Sequence, residues 1–416
     1  MKKYIVLLFF VVFLICNSNS QINQAFVGFK DTAQASVTID FKFVNNLIVI
    51  PLQINNSDTL WFILDSGIRP TLLTSFTNTM EFNVADSTTI RGLGEGDDLK
   101  VWYTFDNVIE MKDIKFTKQS VFVLAKDKFD LPQKMGVPIN GIIGYTIFDN
   151  FVVEIDYEKK KMTLFNPKKF VYKRKYKKWV KIPLTLYAGK PYSKIKVQLN
   201  KDTLINANVL IDIGASDALW LFPGSHDSIV LDTTKQVFYL GQGLNGDIFG
   251  QQGRVDKVII QNKYSLENVT VSYPEPRGLD VPDNYDIEGR NGSIGSEIMR
   301  RFDVIFDYSN NLLMIRKNAE YKGDFNVDYS GMEIIAPFVS LHYYEIFYVQ
   351  QDSPADKAGL KAGDQIIKIN NNTTSRFSLN EILMLMKRKE GKKLKIEVDR
   401  NGEIIKTVLI LENYRH

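Results

Sequence analysis

Apolar and polar positions alternate along the first three quarters of this 416-residue chain. A period of two is typical of strands with one buried face, and clusters of Asn, Gly and Asp separate the segments as turns would. Residues 60–64 and 208–211 are apolar almost throughout and predict strands in the protein interior. The pattern therefore predicts a mainly β fold for this part of the chain.

The pattern changes near Gly331 and predicts a small α+β module over residues 330–416. The Ser353-Pro354 pair is suited to the start of a short helix. Residues 378–389 predict a second helix, because their apolar positions lie on one face. The turn-forming pair Asn401-Gly402, between alternating segments, predicts a terminal hairpin.

An internal repeat organises the mainly β part. Residues 140–144 read Asn-Gly-Ile-Ile-Gly, and residues 291–295 read Asn-Gly-Ser-Ile-Gly. Downstream, the apolar positions keep the same register, and Asp156-Tyr157 aligns with Asp307-Tyr308. The sequence therefore predicts two duplicated β lobes. Their expected limits are residues 21–172 and 173–325.

Each repeat carries an Asp-x-Gly triplet directly after an apolar segment, Asp65-Ser66-Gly67 in the first and Asp212-Ile213-Gly214 in the second. Two carboxylates that meet near a pseudo-two-fold axis share a proton, because ionising both is costly. The ionised partner can take a proton from a trapped water, while the protonated partner hydrogen-bonds a carbonyl oxygen. The pattern indicates amide hydrolysis, with Asp65 and Asp212 as the catalytic candidates.

Glycines in and near these triplets predict close backbone packing around the two acids, and other glycines predict mobile hairpins. Gly67 and Gly214 would let the backbone bring its N–H groups near the carboxylates. Gly144 and Gly295 would let another strand pass close to each Asp loop. Two Gly-rich hairpins are candidate flaps that close over a substrate. Their marker residues are Gly92, Gly94 and Gly96 in one hairpin and Gly241 and Gly243 in the other.

Asp-Ser-Gly followed by Ile-Ile-Gly, then Asp-Ile-Gly-Ala followed by Ser-Ile-Gly, resembles the two lobes of an aspartic protease over residues 36–317. The short lobes resemble the bacterial retropepsin-like branch, fused into one chain. The resemblance implies an active site between the lobes and a reaction without cofactor or metal. It also implies a catalytic dyad and supporting loop residues. These are Asp65 and Asp212, supported by Ser66, Gly67, Ile213, Gly214, Ala215, Gly144 and Gly295.

Two departures from that family pattern bear on the chemistry. Members usually have Ser or Thr after each catalytic Asp, and the two hydroxyls brace the loops against each other. Ser66 keeps this group, whereas Ile213 lacks it. The third position after each Asp is Ile68 in one loop and Ala215 in the other. With fewer hydrogen bonds to the ionised form, we expect raised pKa values for the dyad.

The run Ser353-Pro-Ala-x-x-Ala-Gly-Leu-x-x-Gly-Asp-x-Ile resembles the PDZ modules of exported bacterial proteases. That resemblance implies that a peptide terminus adds as a strand beside the second helix. Residues 345–350 are the expected groove strand, although the usual Gly-Leu-Gly-Phe loop is not visible. The candidate groove residues are Ile346, Tyr348, Ile382 and Met386. The alternative is a purely structural appendage.

The composition argues against nucleic acid as a partner and against several kinds of catalytic site. The formal net charge of +4 gives no electrostatic reason to expect nucleic acid. Cys16 is the only cysteine and lies in the predicted leader, which excludes disulfides, thiol nucleophiles and zinc–thiolate sites from the mature chain. The three histidines form no HExxH motif.

Residues 1–20 predict a signal peptide, because a basic start precedes an apolar run and Ser18 and Ser20 favour cleavage before Gln21. The apolar run is shorter than the roughly 20 residues that span a bilayer. Export to the periplasm or beyond is therefore expected. The alternative is an uncleaved segment that anchors the protein to a membrane.

The sequence as a whole predicts an exported aspartic endopeptidase that acts on peptide or protein substrates. A peptide-binding pseudoprotease is the alternative, which Ile213 favours. A sugar hydrolase using the same two carboxylates is a third hypothesis, although the chain has only four Trp and no other carbohydrate-binding feature.

Overall fold

The structure is a computed structural model that describes residues 25–75, 80–124, 130–232, 234, 236–276, 287–339 and 341–414. The predicted leader, with Cys16, lies outside these residues. Within them, no helix has both the length and the apolar character needed to cross a membrane.

The first part of the chain forms a β lobe with two short helices. Alternating burial along its strands matches the period seen in the sequence. The strands are β1 (Val27–Phe29), β2 (Ser36–Asp40), β3 (Lys42–Val44), β4 (Leu47–Ile54), β5 (Leu60–Leu64), β6 (Thr71–Leu73), β7 (Asn83–Ile90), β8 (Leu99–Met111), β9 (Ile114–Leu124), β10 (Gly141–Ile143), β11 (Val152–Asp156) and β12 (Lys161–Phe165). The helices are α1 (Leu131–Met135) and α2 (Tyr145–Phe148).

The second part repeats this plan, as the duplication predicts. Its strands are β13 (Val180–Pro183), β14 (Thr185–Tyr187), β15 (Lys190–Asn200), β16 (Thr203–Ile211), β17 (Leu219–Leu221), β18 (Phe238–Gly243), β19 (Gly246–Ile260), β20 (Tyr264–Pro274), β21 (Gly292–Ile294), β22 (Phe302–Asp307) and β23 (Leu312–Lys317), with helix α3 (Ser296–Met299). Short 3₁₀ turns cover Arg174–Lys178, Tyr308–Asn310 and Ala319–Lys322.

The two lobes share a sheet as well as having sheets of their own. Among the described strands, the order β1-β9-β6-β10-β5-β4-β8-β7 belongs to the first lobe, and β14-β15-β16-β21-β17-β20-β19-β18 to the second. The shared sheet has the order β13-β23-β22-β11-β12-β2, in which β11 and β22 pair antiparallel at the centre. One continuous hydrophobic core therefore extends from the first lobe through this sheet into the second.

The C-terminal module has a separate hydrophobic core. Its sheet has the order β24-β25-β26-β28-β29, with β27 paired to β26. The strands are β24 (Met332–Ile335), β25 (Tyr344–Val349), β26 (Gln365–Ile369), β27 (Asn372–Thr373), β28 (Lys393–Arg400) and β29 (Glu403–Ile410). The helices are α4 (Pro354–Lys357) and α5 (Leu379–Met386), with a 3₁₀ turn at Thr374–Arg376.

Local sequence explains where the helices of this module begin. The Ser353 hydroxyl accepts a hydrogen bond from Asp356 N, and Pro354 holds the first turn of α4. Ser378 and Glu381 form a reciprocal capping box at the start of α5. The mainly β fold and the small α+β module are therefore as the sequence predicted. The residue limits assigned to the domains stay predictions.

Candidate active site

Equivalent strand pairs place Asp65 and Asp212. In the first lobe β5 runs parallel to β10, and Asp65 N donates to Ile143 O at 2.9 Å. In the second lobe β16 runs parallel to β21, and Asp212 N donates to Ile294 O at 2.8 Å. The repeated Ile-Gly segments thus hold the first residue of each Asp loop in the same way. This explains why the two motifs recur together in the sequence.

The side chains of Asp65 and Asp212 meet between the lobes, where their carboxyl groups share a hydrogen bond. Both residues are half-buried rather than sealed in the core. Each carboxylate also accepts a bond from its own loop: Gly67 N donates to Asp65 Oδ1 at 2.6 Å, and Gly214 N to Asp212 Oδ1 at 2.9 Å. The structure therefore brings the two predicted acids together in one site.

The surroundings of the two acids differ. Burial raises the pKa of Asp65 well above its ordinary value of 3.8, and the charge of Asp212 raises it further. Burial also raises the pKa of Asp212, but the positive charge of Arg290 and the Gly214 N–H oppose that change. The pKa values of both acids are therefore raised, and the pair titrates as a unit with one proton between them.

Gly67 and Gly214, the glycines of the two Asp-x-Gly triplets, leave space for the carboxyl groups. A Cβ on Gly214 would overlap the carboxyl group of Asp65, and a Cβ on Gly67 would lie 3.1 Å from Asp212 Cγ. Neither glycine has a positive φ. Each loop therefore leaves room for the acid of the opposite lobe. Space for the opposite acid is a reason for glycine that the sequence did not indicate.

Ser66 braces the two loops across the lobe boundary. Its Oγ donates to Ile211 O at 2.7 Å and accepts from Ile213 N at 3.0 Å, and its side chain is buried. Ile213 is fully buried and has no hydroxyl with which to return the bond. Ser296 Oγ instead donates to Ile213 O at 2.9 Å. The first loop therefore braces the second through Ser66, but the second loop does not brace the first in return. The bond from Ser296 supports the second loop from within its own lobe.

Gly144 and Gly295 pack directly against the two Asp loops. A Cβ on Gly144 would overlap Asp65 O and lie 2.9 Å from Ile68 O. A Cβ on Gly295 would overlap Asp217 O and lie 2.9 Å from Ala215 O. Backbone atoms cannot move aside as a flexible side chain can, so these positions require glycine.

Sequence reasoning missed three residues around the acids. The positive charges of Lys190 and Arg290 act on the pair, and neither belongs to a local motif. Burial and the charges of both acids raise the pKa of Tyr308, so its phenol stays neutral. Within the described residues, no group of three or more His, Cys, Asp or Glu could hold a metal ion.

The two candidate flaps are hairpin β7–β8 and hairpin β18–β19. Hydrogen bonds join their tips. Asn245 Oδ1 accepts from Gly92 N at 2.6 Å, and Asn245 Nδ2 donates to Asp97 O at 2.7 Å. Asn245 N donates to Leu93 O at 2.9 Å, and Gly96 N donates to Asn245 O. Asn245 is only 2% exposed. This role of Asn245 was not predictable from the sequence, because Asn is common in Gly-rich turns.

A leucine from each flap tip packs into the opposite lobe. Leu93 packs against a second-lobe cluster containing Trp220, and Leu244 packs against a first-lobe cluster together with Ile68. Ile68, which follows the first Asp triplet, packs against the same cluster as Leu244. The second candidate flap is hairpin β18–β19, in which Gly241 and Gly243 lie within β18 and residues 244–245 form the tip.

The predicted groove strand of the C-terminal module is wrong. Strand β25, which contains Ile346 and Tyr348, is paired on one side with β24 and on the other with β26. The strands at the two edges of this sheet are β24 and β29, and α5 packs beside β24. Ile346, Ile382 and Met386 are fully buried in the module core, and Tyr348 is half-buried. A strand added beside α5 would therefore pair with β24, in the cleft between these two elements.

Three comparisons with known proteins each found a match. A stretch of 50 residues is 46% identical to the carboxy-terminal processing protease CtpA of Bacillus subtilis (strain 168). That match covers 12% of this chain and only 11% of the relative. The crystal structure of an aspartic proteinase from Irpex lacteus aligns with a TM-score of 0.46 at 14% identity, over 70% of this chain and 99% of that one. Residues 345–400 match the model of the PDZ domain family, so the C-terminal module is a PDZ domain.

Proposed function

We propose that this protein is an exported aspartic endopeptidase that hydrolyses peptide bonds in extended segments of other proteins. The observation that carries the proposal is the hydrogen bond between the carboxyl groups of Asp65 and Asp212, each from an equivalent loop of a duplicated lobe. Two acids in this arrangement hold one proton between them. Such a pair can act as acid and base in the same step.

The roles of the two acids follow from their surroundings. Asp212 is favoured as the ionised partner, because Arg290 stabilises its charge, so it takes the proton from an attacking water. Asp65 holds the shared proton and donates a hydrogen bond to the carbonyl oxygen of the scissile peptide. As the tetrahedral intermediate collapses and the C–N bond breaks, Asp212 passes the proton that it took from water to the leaving nitrogen. Asp65 keeps the shared proton, so the pair returns to its starting protonation.

The hydrogen-bonded flap tips support peptide hydrolysis as the reaction. Closed hairpins exclude water and offer backbone groups to an extended substrate. The PDZ domain supports a peptide or protein as the substrate, because such domains bind extended segments by strand addition. Export is supported by the composition of residues 1–20.

A peptide-binding pseudoprotease is the second candidate function, favoured by the missing hydroxyl at Ile213. In that case the lobes would hold an extended chain without cutting it. The half brace through Ser66 and the added bond from Ser296 argue for a loop geometry that still keeps the acids together.

The test compares the mature chain with its Asp65→Asn and Asp212→Asn variants. Denatured protein is incubated with each from about pH 3 to pH 8, and the fragments are identified by mass spectrometry. We expect pepstatin-sensitive cleavage by the unaltered chain and a loss of about 100-fold or more in each variant. Asp202→Asn, on an exposed turn, is the matched control and should keep full activity.

Pepstatin-insensitive fragments, or equal cleavage by all four proteins, would overturn the proposal. Absence of cleavage together with peptide binding that survives both active-site substitutions would establish the pseudoprotease instead.

A further inference from the structure

The PDZ domain packs directly on the second flap hairpin. The rings of Tyr348 and Tyr239 are 5.7 Å apart, and Tyr239 lies in flap strand β18. Phe238, at the start of the same strand, packs edge-on against Tyr414 at 5.7 Å. Gln350 Nε2 also donates to Val237 O at 3.5 Å. The outer side of this flap therefore rests on the PDZ domain.

Helix α1 of the first lobe joins the PDZ domain to the same flap. Lys134 Nζ donates to Gln242 Oε1 of β18 at 2.7 Å and lies 5.3 Å from the ring centre of Phe347 in β25. Gln133 O accepts from Ala336 N at 2.8 Å, directly after edge strand β24. One short helix thus contacts the flap and the edge strand together.

The same helix closes one end of the cleft between β24 and α5. Gly136, which follows α1 with φ of 65°, lies so close to Leu379 of α5 that a Cβ would be 2.6 Å from Leu379 Cβ. The backbone donor that continues β24 already bonds Gln133 O. A peptide extending along β24 to this point must therefore displace α1.

The other end of the cleft is closed by the carboxylate of Asp328. Its Oδ1 accepts from Ser330 N and Gly331 N, both at 2.8 Å, and from Ser330 Oγ at 2.7 Å. Ser330 Oγ also accepts from Met332 N at 3.2 Å. An antiparallel peptide on β24 would bring its C-terminal carboxylate to these donors, where Asp328 already binds them and repels a second negative charge.

We propose that the PDZ domain is an internal clamp on the second flap, and that helix α1 is the ligand that keeps its cleft closed. The partner that opens the clamp is an extended internal peptide segment, which pairs with β24 and displaces α1. Displacement of α1 separates Lys134 from Gln242 and loosens β18. The link to activity rests on the proposed proteolytic function, whereas the link between cleft and flap does not.

The first experiment measures hydrogen exchange in the full mature chain carrying Asp65→Asn and Asp212→Asn, so that cleavage plays no part. Lys134→Ala removes the bond to the flap, and Phe347→Ala removes only a PDZ partner of Lys134. We expect either substitution to speed exchange of the flap amides over residues 238–250 by about three- to tenfold. Matched controls are Lys194→Ala, an exposed lysine of β15, and Phe338→Ala, an exposed PDZ phenylalanine in contact with Tyr343.

The second experiment adds a synthetic peptide with the sequence of residues 130–137 to the same protein. We expect the peptide to speed flap exchange, and to act equally well with a free or an amidated C-terminus, because Asp328 fills the carboxylate position. Unchanged flap exchange in both Lys134→Ala and Phe347→Ala would overturn the clamp. A peptide that acts only with a free C-terminus would overturn the assignment of Asp328. Either result leaves the proposed catalysis untouched, since the acids are absent from the test protein.

Discussion

Asp65 and Asp212 occupy equivalent places in two repeats, yet their neighbours make them chemically unequal. Ser66 follows the first acid and Ile213 the second, so the hydroxyl brace runs in one direction only. The positive charge of Arg290 opposes the rise in the pKa of Asp212. The pKa of Asp65 is raised mainly by burial and further by the charge of Asp212. A duplicated chain can specialise its two acids in this way.

The raised pKa of Asp65 predicts a pH-dependent effect on stability. A carboxyl group whose pKa is higher in the folded state favours folding below its unfolded value, and that contribution is lost as pH rises through the folded value. Asp65→Asn keeps the shape but cannot ionise. We therefore expect Asp65→Asn to be more stable than the unaltered chain at pH 7, by about 1 kcal/mol or more. The measurement is denaturant unfolding across pH.

The difference between the two proteins should shrink as pH falls and vanish below the ordinary value of 3.8, where Asp65 is protonated in both states. Asp202→Asn, on an exposed turn of the second lobe, should show no such pH-dependent gain. A gain for Asp65→Asn that grows towards acid pH would contradict the assignment of the shared proton.

Residue-scale features were predictable from sequence where they sit in a local motif. The two Asp-x-Gly triplets and the two Ile-Gly segments were found because each motif recurs in register. Lys190 and Arg290 act on the acids, and the acids act on Tyr308, from separate strands and turns, so no short pattern identifies these residues. Single-sequence patterns report spacing along the chain, whereas these charges act through space.

Among the elements, the flap hairpins depend most on a single side chain. Asn245 satisfies Gly92 N and Asp97 O through a buried amide, and its removal leaves those groups without their partner. Leaving a buried polar group unsatisfied costs about 1–3 kcal/mol. We expect Asn245→Ala to speed hydrogen exchange in both flap tips, by roughly tenfold or more.

Asn206→Ala, on an exposed position of β16, is the matched control and should leave the flap tips protected. Native-state exchange read by mass spectrometry separates residues 91–98 from 244–249. Protection that stays the same in Asn245→Ala would show that the packing of Leu93 and Leu244 alone holds the flaps together.

The strands and helices were easier to predict from the sequence than the way in which the strands pair. Alternation predicted the strands, and Ser353-Pro354 marked a helix start, because both signals are local. The groove strand was misplaced because β24 and β25 are both apolar-alternating, and only the pairing of β25 on two sides decides which one is the edge. Gly241 and Gly243 indicated the second flap hairpin but not its tip, because glycines also occur within β18, where Gly241 lies at an irregularity in the pairing.

At the scale of the whole molecule, the central β11–β22 pair determines how the lobes depend on each other. Ile155 of β11 pairs with Val304 of β22, and both are fully buried in the core that spans the two lobes. The PDZ core is a separate cluster, and hydrogen bonds such as Asn45 N to Asn380 Oδ1 join the PDZ domain to the lobes. The two lobes should therefore unfold as one unit, separately from the PDZ domain.

The same substitution placed in each core tests this division. Ile155→Ala in the shared sheet and Ile396→Ala in the PDZ core each remove a fully buried side chain, at a cost of about 2–5 kcal/mol. We expect Ile155→Ala to lower the free energy of unfolding of β4 and β16 equally, although β16 belongs to the other lobe. Ile396→Ala should lower only that of β28. Hydrogen exchange in increasing denaturant reports the three strands separately, and a loss confined to β4 in Ile155→Ala would mean that the lobes are independent units despite their shared sheet.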